Sequence, residues 1–414
     1  MLAAAVAANA EAQTAFTWTE ILTKFETASP TLRVDQLGVD ESKAAETTAF
    51  LRPNPQFSVT ADQIGHNDAG RPFADMINVF AVNYLHEREH KRELRRDSAR
   101  QSTDIAVSGH VNLDRTLVFT LRSTFVQVLM SEAALTLARD NLAFYDRVLA
   151  VSRDRYAAGD LAQIDMDRLE LQRVQFESAV ESADVTVRTA KIQLLMLLDD
   201  RTPIEQFDVS GPFDFAEGMP SLDDVRRQAL DARPDLRAAL QGLEQAGTNH
   251  RLAIANGSAD PTIGVDAAFP ILTDIWQSYP APLREYVGVN VSIPLRIFDK
   301  NQGEKLRTQL DIDRNQGLVD VARAQVFSDV DSGYATLVST LNLLRPYKDH
   351  YLAQSTRVRD TVTFSYQNGG ASLLDFLQAE QDYRSVQLNY VNLVGTYLTA
   401  AAQLNMAVGR EVIP

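Results

Sequence analysis

The chain has 414 residues, a formal net charge of −15 and no cysteine. That length ordinarily means two or three compact domains. The acidic balance leaves no basic face to neutralise phosphates, which disfavours nucleic acid as a partner. Missing thiols exclude disulfides, cysteine nucleophiles and cysteine-based zinc sites, and are compatible with an oxidising compartment. No apolar run of about 18 residues is present, so no membrane-spanning helix is expected.

The first 14 residues, MLAAAVAANAEAQT, read as the end of a secretory signal. A short apolar run precedes two A-x-A cleavage patterns, Ala8-Asn9-Ala10 and Ala10-Glu11-Ala12, although the charged n-region is missing. Residues 17–50 read as helix with a break at Pro30, and Pro53-Asn54-Pro55 ends it. Phe57, Val59 and Ala61 then alternate with polar neighbours, the period of a strand. After a polar loop at 66–72, Ile77, Val79 and Ala81 give a weaker alternation. From Glu87 to Arg155 there is no proline and one glycine, Gly109. That predicts a helix of roughly 70 residues, on the order of 100 Å. Within it Leu121, Val128, Leu135, Leu142, Leu149 and Tyr156 recur every seven residues, so the helix packs along its length as in a coiled coil. A return helix is expected over 162–198, and the Pro- and Gly-containing stretch 199–220 reads as a linker or small side domain.

The pattern then starts again. Ser221, with Asp224, caps a new helix. Ala232, Pro234, Leu236 and Arg237 echo Ala28, Pro30, Leu32 and Arg33 at a constant offset of 204. Ile263, Val265, Ala267 and Phe269 alternate with polar or small residues, as do Val287, Val289, Val291 and Ile293. A second long helix is expected over about 300–367, followed by a return helix. At offset 210, Tyr156, Gly159, Asp165 and Glu170 match Tyr366, Gly369, Asp375 and Glu380. Each set sits between two helical patterns, so each reads as the tight tip of a helical hairpin, with glycine ending the incoming helix. The fold expected is therefore mainly α with a small β part, internally duplicated. Its expected parts are a signal-like segment at 1–14, a first repeat at 15–200, a linker at 201–220 and a second repeat at 221–410. Strands with one apolar and one polar face suit either a wall between lipid and a watery lumen or a half-exposed sheet packed on helices. Four strands cannot close a barrel with a lumen, so the membrane reading requires an oligomer.

The paired Y-x-x-G-x5-D tips, the A-R-P-D-L-R run at 232–237 and the S-I-P-L-R-I-F-D-K-N junction at 292–301 resemble the TolC family of outer-membrane efflux proteins over residues 17–410. The 232–237 run and the D-P-T-I-G-V strand at 260–265 resemble its heavy-metal branch, the CzcC- and CusC-like factors. The resemblance implies a homotrimer, with twelve strands forming one barrel in outer-membrane lipid and helices forming an α-barrel through the periplasm. Tips meeting a periplasmic adaptor and an inner-membrane RND-type pump are implied as well. Lipid then faces Ile263, Val265, Phe269, Val287, Val289 and Val291. The tip residues Tyr156, Gly159, Ala162, Tyr366, Gly369, Gly370 and Ser372 are expected to contact adaptor or pump. With no cysteine available, the N-terminal lipid anchor of many relatives is not expected.

A passive conduit needs no catalytic set, no cofactor and no resident metal. There is no G-x-S-x-G, Walker loop or H-E-x-x-H. His86 and His90 are spaced for one helix face, but two ligands without a third rarely hold a metal. Family members close the periplasmic entrance partly with acidic rings after the tip glycine. Asp375 and its counterpart Asp165 occupy that position and are the expected gate. The second acid of such rings is replaced by Gln378 and, in the first copy, Arg168, and Ala371 stands where a basic partner can occur. Alternatively, both aspartates are helix-start acids favoured by the helix dipole. The expected function is the outer-membrane channel of a tripartite efflux system, for heavy-metal cations. Drug efflux and type I protein secretion use the same architecture. A soluble coiled-coil scaffold or adhesin is the rival of another class.

Overall fold

In the computed structural model of the chain, residues 14–62, 76–270 and 285–413 are described. The signal-like segment, apart from Thr14, and the expected polar loop at 66–72 lie outside them, as do residues 271–284. β1 (Thr14–Phe16) leads to α1 (Trp18–Ala28), α2 (Pro30–Ala49), β2 (Gln56–Asp62), β3 (Ile77–Leu85), α3 (Lys91–Ala158) and α4 (Gln163–Leu197). A second round comes next, with β4 (Phe207–Val209), α5 (Leu222–Ala232), α6 (Pro234–Ala255), β5 (Thr262–Pro270), β6 (Tyr286–Ser292), α7 (Gln302–Pro346), α8 (Leu352–Gln367) and α9 (Leu373–Val408).

Local chemistry sets these boundaries. Thr17 and Glu20 form a reciprocal capping box at the start of α1. Ser221 Oγ accepts the Asp224 N–H at 3.2 Å and starts α5. Pro30 and Pro234 each take the first position of a helix, where a missing N–H costs nothing. One boundary differs from the sequence reading, which ran a single helix through 300–367. Pro346 closes α7, and Tyr347–Tyr351 form one π turn, with Leu352 N donating to Tyr347 O. Proline has no N–H and its ring crowds the carbonyl four residues back, so the helix widens there. Its first-copy counterpart α3, with no proline, runs unbroken for 68 residues.

The chain forms two compact units. One takes the residues up to Gln36, His110–Leu236 and Arg323–Pro414. Its core packs Ile21 and Phe25 against Leu121, Phe125, Val128, Leu194, Leu198 and Phe207. The seven-residue row on α3 is buried at Leu121, Val128, Leu135 and Leu149, half-buried at Leu142 and exposed at Tyr156. β1 pairs in parallel with β4, Phe16 opposite Val209, and β4 lies within what read as a linker. Lys191 sits between Glu132, at 2.9 Å, and Asp208, at 3.0 Å. Burial, with the neighbouring Asp208 carboxylate, pushes Glu132 up to about 7. The A-R-P-D run acquires a physical reason here. Arg233 closes α5 with 3% side-chain exposure, bonds Asp235 through two nitrogens at 3.0 and 2.6 Å, and reaches Asp329 at 2.7 Å and the Ala407 carbonyl at 3.1 Å.

The other unit takes Leu37–Gly109 and Arg237–Ala322 and holds the sheet. Strand order is β2-β3-β5-β6, antiparallel throughout. Buried Lys91 fixes the strand entrance, bonding the Asp260 carboxylate at 2.7 Å and the Ser258 carbonyl at 2.9 Å.

Candidate functional site

Two features carry the chemistry, the paired tips and the sheet. At the first tip Gly159 has φ +86°, the left-handed conformation that glycine adopts without strain. Its N–H donates to Tyr156 O at 3.0 Å, and Asp160 N donates to Arg155 O at 2.9 Å. At the second, Gly369 has φ +79°, its N–H donates to Tyr366 O at 3.1 Å, and Gly370 N donates to Ser365 O at 2.8 Å. Both are Schellman endings with identical bonding at an offset of 210.

Beyond the glycines the two tips differ. Ser372 caps α9: its Oγ accepts from Asp375 N at 3.2 Å, while Asp375 Oδ2 accepts from Ser372 N at 3.1 Å and Ser372 Oγ at 2.7 Å. Those bonds lower the Asp375 pKa, so the group is anionic at neutral pH. Asp375 is exposed. Ala162, the counterpart of Ser372, offers α4 no side-chain cap. Asp165 is half-buried and lies 3.8 Å from the Arg168 guanidinium.

The two hairpins are locked by aromatic rings. Tyr145 on α3 stacks on Phe176 of α4 at 4.4 Å and on Phe376 of α9 at 6.2 Å, and Phe376 stacks on Tyr366 of α8 at 5.1 Å. Arg155 on α3 donates to the Tyr366 carbonyl at 2.7 Å and lies over its ring. Of the matched tyrosines, Tyr156 is 43% exposed and Tyr366 only 3%. Gly159, Ala162 and Gly369 lie on the surface. Beside Gly369, Gly370 packs on Ser365, whose Oγ would be 2.9 Å from an added Cβ.

In the sheet, register separates two faces. Val82, Val265 and Val289 stand in one row across β3, β5 and β6, flanked by Tyr84, Ile263 and Val291 and by Phe80, Ala267 and Val287. Phe57 and Val59 extend this face onto β2. Its residues are exposed: Ile263 46%, Val265 52%, Phe269 45%, Val287 76%, Val289 75% and Val291 61%. The opposite face is mostly polar on β2, β5 and β6, while β3 turns Ile77, Val79 and Ala81 to it, so both faces of β3 are partly apolar. Asn83 and Asn290 meet across Gly264, where an added Cβ would lie 2.1 Å from Asn83 Oδ1, and Asn290 donates to Asp266 at 3.1 Å. Among the described residues, β2 and β6 each leave one edge unpaired.

A family model for outer membrane efflux proteins matches residues 225–410, from α5 through the second tip to the end of α9. Over that stretch the chain carries the pattern of the outer membrane efflux protein family. This efflux protein is 20% identical to the cobalt-zinc-cadmium resistance protein CzcC of Cupriavidus metallidurans over 381 residues, 90% of this chain and 85% of that one. Its fold matches a crystal structure of CusC with a TM-score of 0.79 at 16% identity, over 95% of this chain and 92% of the other. It also matches the outer membrane protein VceC of Vibrio cholerae, with a TM-score of 0.77 at 15% identity, over 95% and 96%. It is thus an efflux channel protein of the Gram-negative outer membrane, with periplasmic helices.

For the efflux protein, His86 and His90 do not share a helix face. They stand in the turn before α3, and His90 has φ +55°. Among the described residues no group of three or more His, Asp or Glu is placed to hold a metal ion. Sequence reasoning saw Glu380 only as the echo of Glu170. Glu380 is 1% exposed, with both carboxyl oxygens lacking a hydrogen-bond partner. Glu170 is an exposed residue paired with Arg153 at 3.2 Å. Identity at an offset of 210 carries no sign of which copy is buried.

Proposed function

We propose that three copies of this chain close a twelve-stranded barrel in the outer membrane, while their helices enclose a periplasmic tunnel. The sheet carries this reading. In hydrocarbon every backbone N–H and C=O must be paired, so the open edges of β2 and β6 require each other from neighbouring copies. Four strands enclose no lumen, whereas twelve do. The exposed valine row then meets lipid and the Asn83–Asn290–Asp266 face lines water. The helices likewise need neighbours. On α4, Ile164, Leu171, Val185 and Ile192 fall on one seven-residue row and are 54–71% exposed, an apolar seam suited to a second copy.

Passive conduction through such a tunnel requires no catalytic residues. Substrate reaches it from a periplasmic adaptor and an inner-membrane RND-type pump, which dock on the exposed surface around Tyr156, Gly159, Ala162, Gly369 and Ser372. Asp375 and Asp165 gate the entrance, since three copies of an anionic Asp375 converging at the tips attract cations and resist closing. The cargo class is heavy-metal cations, supported by the likeness to CzcC. The test is growth of a deletion strain on cobalt, zinc, cadmium, nickel, copper and silver and on dyes, detergents and antibiotics. Sensitivity confined to metals is expected. Sensitivity confined to dyes, detergents and antibiotics would keep the conduit and reject metal cargo.

A further inference from the structure

The tip bundle contains a polar cluster that conduction does not use. Neither oxygen of buried Glu380 is hydrogen-bonded, and on the same α8–α9 hairpin Thr363 Oγ1, Tyr366 OH and Arg384 Nε are also buried without partners. Two guanidiniums act on Glu380 through space, those of Arg359 and Arg384, yet neither bonds it. Arg384 lies 4.3 Å over the Phe176 ring. Arg359 lies 3.9 Å over Tyr383 and 4.4 Å over Phe144, and bonds Asp360 at 2.7 Å. A buried carboxylate is stable only when paired and hydrogen-bonded, so this arrangement is that of a neutral carboxyl.

We propose that Glu380 is a proton-operated latch of the periplasmic tip: protonated, it rests in the apolar interior and leaves Arg384 on Phe176; ionised, it releases its proton to solvent and draws the Arg384 guanidinium, one turn along α9, off that ring. Arg384 on α9 and Phe176 on α4 belong to different hairpins, so the move breaks a contact that holds the two together. The surrounding groups leave the carboxyl as the switching element. From α8 come Arg359, Asp360 and Tyr366, and from α9 Arg384. From α3 comes Tyr145, whose hydroxyl donates to Leu169 O at 3.0 Å and whose ionisation burial pushes up. From α4 comes Phe176, while Arg173 and Glu177 on that helix are taken up by each other and by Asp146. Burial, opposed by the two arginines, raises Glu380 to about 7, within the periplasmic range. Acid therefore sets the latch and alkali releases it. The inference rests on the tip reading above, but its tests need neither adaptor nor cargo, so either can fail alone.

The test uses the purified protein in detergent. Infrared titration from about pH 6 to about pH 8 should show a protonated-carboxyl C=O band that disappears in the wild type and is smaller in Glu380→Gln, where Glu132 supplies what remains. Over the same range, hydrogen exchange of tip peptides, corrected for the intrinsic rate, should rise roughly tenfold in the wild type and stay flat in Glu380→Gln. Arg384→Gln supplies an independent arm, keeping the infrared titration and losing the exchange step. A carboxyl band unchanged by Glu380→Gln, or an exchange step that persists in Arg384→Gln, would overturn the latch.

Discussion

Val289 and Asn290 are adjacent on β6 and face opposite ways, which makes a matched pair of substitutions decisive. Val289 is at the middle of Tyr286–Ser292, is 75% exposed, and stands beside Val265, the near-central residue of β5. If that row meets hydrocarbon, Val289→Lys places an ammonium near the bilayer midplane at a cost of about 2–4 kcal/mol per chain. Threefold symmetry multiplies it to roughly 6–12 kcal/mol per assembled barrel. Asn290→Lys points to the polar face, beside Gly264 and the Asp266 carboxylate, and should be nearly neutral. On a soluble half-exposed sheet both substitutions are surface changes within about 0.5 kcal/mol. The assay is the fraction of heat-modifiable trimer in the outer-membrane fraction. Trimer should be lost with Val289→Lys and retained with Asn290→Lys. Equal behaviour of the two variants would refute the assignment of faces.

Removing the charge at the second tip should alter permeation without altering assembly. Asp375→Asn keeps an oxygen able to accept from Ser372 N and Oγ, so α9 stays capped while a ring of three charges disappears. The cation-to-anion permeability ratio should fall roughly twofold or more in reconstituted channels, and unchanged selectivity would dismiss the ring. Arg233→Met leaves Asp235 and Asp329 without their shared guanidinium. Breaking a buried pair costs about 3–5 kcal/mol. With these carboxylates 30% and 32% exposed, about 2–3 kcal/mol is expected after screening. That corresponds to roughly 30- to 150-fold faster exchange of the peptides around the α5–α6 junction. Burial raises the Asp235 pKa, and the Arg233 bonds and charge outweigh it, leaving the value lowered. The wild-type advantage is therefore complete above about pH 4, the unfolded value, and fades as pH falls through the folded one. A deficit independent of pH would contradict the pairing.

Much of this architecture is legible in the residues because it is periodic or repeated. The 210-residue echo located both tips, and the bonding at Gly159 and Gly369 is the same in each. Period-two runs located β2, β5 and β6, since each has one face its chemistry must satisfy, and β3 only weakly, since both its faces are partly apolar. Non-periodic features were not legible. β1 and β4 are three residues each, joined across nearly two hundred positions, and too short to show a period. The π turn after Pro346 depends on how a helix absorbs one missing N–H, which flanking helix formers conceal. The tips also hid their asymmetry. Tyr156 and Tyr366 are the same residue at matched positions, one exposed and one stacked on Phe376, because only three-dimensional packing decides which hairpin covers the other.

The central claim is that the open strand edges of one copy pair with those of the next and close after three. With no native cysteine, single cysteines can be placed along β2 and along β6 in one chain and oxidised in outer membranes. The account predicts denaturing-gel products at the mass of two and three chains and no larger. Monomer alone would contradict edge pairing, and a ladder running beyond three chains would contradict a closed barrel.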